Sequence, residues 1–243
     1  MELRGRVALV TGAAQRVGRA LALRLAEAGC HLAVHYGRSA DNAAATAAAC
    51  RARDVQAEAF QADLSDPATA GQLVQSVLAR FERLDVLVNN ASVFERMSVA
   101  EFDLEAWERA LRINLTAPML LTHAACPALR RAGGRVINLC DAATARPWPD
   151  HLAYIVSKGA LDTLTKVLAR ALAPQVNVVG IAPGIAAWPE SYNQETRDRL
   201  AAKVPLRRAG TPEGIAAAVH FVLSEGDYIT GAILPIDGGR SVV

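Results

Sequence analysis

Apolar positions along the chain fall into two alternating kinds of run. Short, β-branched stretches read as strands buried on both faces: Val7 to Val10, His31 to His35, Val55 to Phe60, Val86 to Asn89, Arg135 to Leu139, Val176 to Ile181 and Ile233 to Ile236. Between them lie longer segments, rich in Ala, Leu, Arg and Glu, with helical spacing. Examples are Arg19 to Glu27, Ala43 to Arg53, Thr69 to Arg83, Leu104 to Leu129 and Leu152 to Leu172. Continuous apolar strands separated by helices predict an α/β fold, a doubly wound parallel sheet with helices on both faces. Right-handed crossovers then place a ligand at the carboxyl ends of the strands.

No linker or internal repeat interrupts this alternation, so residues 1–243 are expected to form one domain. The pattern weakens from Ile185 to Lys203, where Trp188, Pro189 and Asn193 predict a loop and helix over the pocket. Hydrophobic residues make up 52% of the chain, enough to fill a substantial core. Charged residues are 21% and the formal net charge is +2, with no block of like charge. That balance argues against nucleic acid or a membrane as a partner. Cys30, Cys50, Cys126 and Cys140 are far apart and form no metal-binding or disulfide pattern. The polar start MELRGRVALVTG lacks a signal-peptide pattern, and no apolar run reaches the length of a spanning helix. A cytoplasmic protein without a metal is the expectation.

Candidate chemistry gathers at the strand ends. TGAAQRVG, Thr11 to Gly18, joins the first strand to a helix, and such a turn lets backbone approach a pyrophosphate at the positive helix end. Gly12 and Gly18 alone are also compatible with a tight turn and close packing. The second strand ends in HYGRS, His35 to Ser39, without the acid that would hold a ribose 2′-hydroxyl. Arg38 and Ser39 suit a 2′-phosphate instead, and Arg16 adds to that field. NADPH is therefore favoured over NADH. Asp63, in the ADL run with Leu64, is either an adenine contact or a helix cap.

Tyr154 and Lys158 stand four apart and share one helix face. A phenol titrates near 10, and a nearby ammonium is expected to lower that value. NNAS (Asn89 to Ser92), Asn114, Asp141 and Pro183-Gly184 all fall at strand ends or on adjoining helices.

With TGAAQRVG, ADL, NNAS, Asn114, YIVSK, PG and the terminal IDGG in order, the chain resembles the short-chain dehydrogenase/reductase family over nearly its full length. The resemblance implies a seven-stranded Rossmann fold, hydride transfer from a nicotinamide, and a tetramer or dimer. Tyr154 would be the proton donor, Lys158 the ribose anchor and Asn114 a helix-kinking water holder. The implied cofactor contacts are Gly12, Arg16, Val17, Gly18, His35, Tyr36, Arg38, Ser39, Asp63, Leu64, Asn90, Ala91, Ser92, Tyr154, Lys158, Pro183 and Gly184.

Two departures from the general pattern, Arg16 for the middle glycine and Asp141 for a hydroxyl residue, look like the pteridine reductase branch. HYGRS, Phe94 after NNAS, SKGAL and KVPL (Lys203 to Leu206) agree. That resemblance implies a pterin or folate-like substrate stacked on Phe94 and met by Arg16, Ser92, Asp141, Tyr154 and Trp188, in a homotetramer. The alternatives are a carbonyl or 3-oxoacyl thioester reductase and, from another class, an NADPH-binding regulator. One tension stands: Lys158 and Arg16 would lower the pKa of Asp141, whereas donating a proton requires it raised; desolvation under the substrate would offset them.

Overall fold

The computed structural model describes residues 1–188 and 192–243. Seven parallel strands form one sheet: β1 (Val7–Val10), β2 (His31–Tyr36), β3 (Ala57–Gln61), β4 (Val86–Asn89), β5 (Arg135–Leu139), β6 (Asn177–Pro183) and β7 (Ile233–Ile236). Their order is β3-β2-β1-β4-β5-β6-β7. The winding reverses between β1 and β4, which opens a crevice at their carboxyl ends.

Strand alternation sends side chains to two cores. Ala8 and Val10 face one side, with Leu21, Leu25, Val219 and Leu223 from helices α1 (Arg16–Glu27) and α8 (Pro212–Ser224). Val7 and Leu9 face the other. There they meet Leu73, Leu121 and Leu168 from α3 (Pro67–Phe81), α5 (Ala117–Ala132) and α6 (Leu152–Leu172). Each fully buried leucine contributes about 1.5–3 kcal/mol of transfer free energy, so a strand lined on both faces is strongly held. The remaining helices are α2 (Ala40–Arg51), α4 (Leu104–Leu111) and α7 (Gln194–Ala201).

Most differences from the sequence reading are boundary shifts. β3 begins at Ala57 rather than Val55, and β6 continues to Pro183. One difference is larger: the single helix expected over Leu104 to Leu129 is broken by a π-helical turn, Arg112–Thr116, between α4 and α5. Pro118 supplies part of the cause, because it lacks the N–H that would bond the Asn114 carbonyl in an α-helix. The helix expected after Ile185 is α7, whereas Pro189 lies outside the described residues.

At the foot of β4, Asp85 is fully buried and makes four hydrogen bonds. It accepts from Arg6 Nη1 at 2.8 Å, Arg83 Nε at 2.8 Å, Arg83 Nη2 at 2.7 Å and the Val7 amide at 2.9 Å. Among the described residues, no helix is long and apolar enough to cross a membrane, and no His/Cys/Asp/Glu group is arranged to hold a metal ion.

Candidate active site

An open cleft of about 820 Å³ runs across the carboxyl ends of β1, β2, β4, β5 and β6. At its floor, Gly12 adopts φ +62°, and a Cβ on Gly18 would stand 2.1 Å from the Gly12 carbonyl oxygen. Only glycine at both positions lets α1 start this close to β1. Asn90 Nδ2 donates to the carbonyls of Thr11 (2.8 Å) and Gly12 (3.1 Å), while Thr11 Oγ1 accepts from the Asn90 and Ala91 amides. The turn is therefore tied to the loop after β4.

His35 does not offer its ring to a ligand. It is 2% exposed; Nδ1 accepts from the Gly12 amide at 3.1 Å, so Nε2 carries the proton and donates to the Ala62 carbonyl at 3.1 Å. Burial pushes its pKa down to about 4, keeping it neutral. His35 is thus a residue of the cleft wall whose ring wires the glycine turn to the end of β3.

Arg16, Val17, Tyr36, Arg38, Ser39, Asp63 and Leu64 line the same end of the cleft. Arg16 stands at φ +51°, the left-handed conformation a glycine would take more readily. Ser39 is the N-cap of α2, so the positive end of that helix faces the Arg38 side of the cleft. Asp63 accepts from the Ser65 amide (2.9 Å) and hydroxyl (2.7 Å), and these bonds lower its pKa. Capping of α3 falls to Asp66, whose carboxylate accepts from the Ala68 amide at 2.9 Å.

At the other end, Ser92, Phe94, Asp141, Tyr154, Lys158, Pro183 and Gly184 line the cleft. The Tyr154 hydroxyl donates to Asp141 Oδ2 at 2.5 Å, and Asp141 Oδ1 accepts from the Ala143 amide at 2.7 Å. Burial raises the pKa of Asp141 and outweighs these bonds and the nearby cations Lys158 and Arg240. Tyr154 is pushed well above its ordinary value, by burial first and then by Asp141. The expectation that Lys158 lowers it is not met. Lys158 Nζ donates to the Leu139 carbonyl at 2.7 Å and lies 5.9 Å from the Tyr154 ring centre.

Asn114 sits beneath the cleft, fully buried in the π-helical turn. Its Nδ2 donates to the Val93 carbonyl and Ser157 Oγ, both at 3.0 Å. Its Oδ1 accepts from the Val93 amide (2.9 Å) and Ser92 Oγ (3.0 Å). The side chain is thus a tie between the β4 loop and α6, and the Ser92 hydroxyl is engaged with it. Trp188 is not brought to the cleft wall: Ala186 and Ala187 line it, and Trp188 is half-buried with its ring centre 6.5 Å from that of Tyr192.

A family profile described as enoyl-(acyl carrier protein) reductase matches residues 12–241. The chain is a short-chain dehydrogenase/reductase. A 3-oxoacyl-[acyl-carrier-protein] reductase of Synechocystis is 35% identical over 98% of this chain and 97% of its own. Two solved structures each superpose with a TM-score of 0.93. One is a blue fluorescent protein from a metagenomic library in complex with NADPH, 33% identical and covering 99% of both chains. The other is FolM alternative dihydrofolate reductase 1 from Brucella canis with NADP, 32% identical over 100% of this chain and 96% of that one.

In this short-chain dehydrogenase/reductase, sequence reasoning singled out Phe94 but not His151, Arg240, Glu95 or Arg109 around it at the substrate end. Phe94 is stacked on His151 (ring centres 4.4 Å, planes 18° apart) and meets Tyr154 edge-on at 4.7 Å. Arg240 lies over Trp148 at 4.8 Å and faces Asp141 electrostatically. Glu95 and Arg109 line the cleft and pair with each other at 2.6 Å. None of these four belongs to a motif with a chemical signature. The one signal was the aromatic and basic residues clustering just before Tyr154.

Proposed function

We propose that this short-chain reductase uses NADPH to reduce a ring C=N bond of a flat pterin or folate-like substrate. The carrying observation is Asp141, a half-buried carboxyl with a raised pKa, hydrogen-bonded to the Tyr154 hydroxyl. A carbonyl reductase usually wants a neutral donor there to polarise oxygen, whereas reducing C=N needs a proton delivered to nitrogen. The cleft suits the cofactor. Gly12, Val17 and Gly18 would hold the pyrophosphate; Arg16, Tyr36, Arg38 and Ser39 the ribose phosphate; Asp63 and Leu64 the adenine. Asn90, Ala91, Ser92, Lys158, Pro183 and Gly184 would hold the nicotinamide half. The close approach at Gly18 is the fit test, because a side chain there would fill the cradle.

NADPH held by these residues would supply the hydride for ring carbon. Phe94, held from one side by His151, presents its exposed part to the cleft and orients a planar ring. Asp141 and Tyr154 deliver the proton to ring nitrogen. Lys158 holds the ribose and places positive charge beside the phenol.

A second reading, reduction of a 3-oxoacyl thioester, is supported by the Synechocystis relative's name. The pterin reading draws support from the Brucella relative's title. NADPH oxidation with dihydrobiopterin, dihydrofolate and an acetoacetyl thioester separates the two. Turnover of the thioester alone sinks the pterin assignment.

Two cofactor predictions follow from the phosphate end. Arg38→Ala is expected to cut the preference for NADPH over NADH at least tenfold, the worth of about 1.4 kcal/mol from a charge-assisted bond. An unaltered kcat/KM ratio would show that Arg38 does not read the 2′-phosphate. Arg16→Gly relieves a left-handed backbone worth about 1 kcal/mol, offset by glycine's greater chain entropy. Its melting temperature without cofactor should stay level or rise, while NADPH binding weakens several-fold.

The proposal takes residues 1–243 as one unit in a homotetramer. Exposed Val156 and Val167 on α6, and Phe221 on α8, support association through these faces. Four free cysteines, three of them buried, suit a reducing, cytoplasmic setting.

A further inference from the structure

Lys158 is fully buried, and burial favours its neutral form. Three groups oppose that effect: Cys140, Asp141 and Asp162. Cys140 offers no charge, because burial first, and then Asp162, hold its thiol protonated. Asp141 offers none while it carries the proton it is to donate. Only Asp162 is left.

Asp162 stands one helical turn beyond Lys158 and two beyond Tyr154, so the three share one side of α6. Its Oδ2 accepts from Thr144 Oγ1 at 2.9 Å. Its Oδ1 is buried and meets no hydrogen-bond donor among the described residues. Thr144 Oγ1 also lies 2.9 Å from the main-chain carbonyl oxygen of Asp141, so one hydroxyl ties the Asp162 carboxylate to the backbone that carries Asp141. The titratable groups facing Lys158 are Tyr154 and Asp162 on its own helix and Cys140 and Asp141 after β5; Arg240 faces Asp141 from the C-terminal turn.

We propose that Asp162 is a positioning residue that supplies the counter-charge to Lys158 and so leaves Asp141 free to carry a proton. This rests on the reading of Asp141 as the proton source. The division of labour is chemical: a carboxylate that neutralises an ammonium cannot also be the acid that protonates substrate. Two acids beside one buried lysine resolve the conflict noted for Asp141 in the sequence.

The chain has three lysines, and Lys166 and Lys203 are exposed, so lysine labelled with ¹³C at Cε gives signals from one buried and two exposed side chains. The titration needs neither substrate nor cofactor. In Asp162→Asn the Lys158 midpoint should fall by about one unit, a tenfold rise in its acid dissociation constant, with Lys166 and Lys203 unmoved. NADPH binding should weaken at lower alkaline pH than in the wild type. Asp162→Glu should restore both. Asp162→Ser, smaller and equally neutral, serves if the asparagine variant does not fold. A Lys158 midpoint unmoved by both neutral variants overturns the role of Asp162 alone. Absence of pterin turnover in the wild type would sink the substrate reading while leaving the lysine titration to be judged separately.

Discussion

Asp141→Asn is expected to lower kcat for dihydrobiopterin by at least about 10²-fold, with NADPH affinity within about twofold of wild type. Asparagine keeps the size of the side chain and an oxygen for the Ala143 amide, but it has no carboxyl proton to give. The pKa of Asp141 is raised, so the group is protonated over a wider range than a surface aspartate. The sign of the pH effect follows. Turnover should fall as pH rises through the folded pKa of Asp141, and that limb should vanish in the variant. Stability should move the same way with pH. A carboxyl with a raised folded pKa favours the fold below that pKa and costs stability above it. At neutral pH the variant should therefore melt no lower than wild type. Steady-state rates against pH and thermal melts of both proteins check these points together. Undiminished pterin turnover would remove Asp141 from the chemistry. A variant that gains activity on the acetoacetyl thioester would favour the carbonyl reading, because the amide is a neutral donor.

Asp85→Ala is expected to destabilise the protein by about 3 kcal/mol. The substitution removes two arginine contacts and leaves the Val7 amide at the start of β1 without its acceptor. Arg6 and Arg83 are each part-exposed, so neither is stranded as a buried charge, which keeps the cost below the largest values for broken buried pairs. In a chain of this length, 3 kcal/mol corresponds to a fall in Tm of roughly 6–12 °C. Asp85→Asn, which keeps an acceptor for Val7, should lose less. Burial alone would raise the Asp85 pKa, but hydrogen bonds from Arg83, Val7 and Arg6 outweigh it and lower it. The contribution is therefore present above the ordinary carboxylate pKa and lost as pH falls through the lowered one. Denaturant unfolding at neutral and acid pH should show the variants converging with wild type in acid. An equal gap at both pH values would show that the charge of Asp85 is not what holds β1.

The sheet was legible because its central strands are buried on both faces and so read as unbroken apolar runs, as in VALV and VLVN. The cleft was legible because its residues are local motifs at strand ends, from Gly12 to Gly184. What escaped depends on contacts between distant segments. His35 sits in a polar HYGRS string, and nothing in that string says that its ring is consumed by Gly12 and Ala62. The break at Asn114 arises from a proline four residues on and from bonds to Val93 and Ser157. Helical spacing alone carries straight through it. Arg240 and Asp162 became visible only when the fold set them near Asp141 and Lys158. Conversely, the resemblance implied Trp188 as a substrate contact, whereas Ala186 and Ala187 line the cleft.

The tie made by Asn114 has a thermal consequence. Its fully buried amide joins the loop carrying Ser92 and Val93 to the helix carrying Tyr154 and Lys158. A region anchored in this way opens only with the cooperative unit around it. Heating should therefore not produce an inactive but still folded form; catalytic order and the global fold should be lost together, and the amide proton of Val93 should exchange as slowly as those of the central strands.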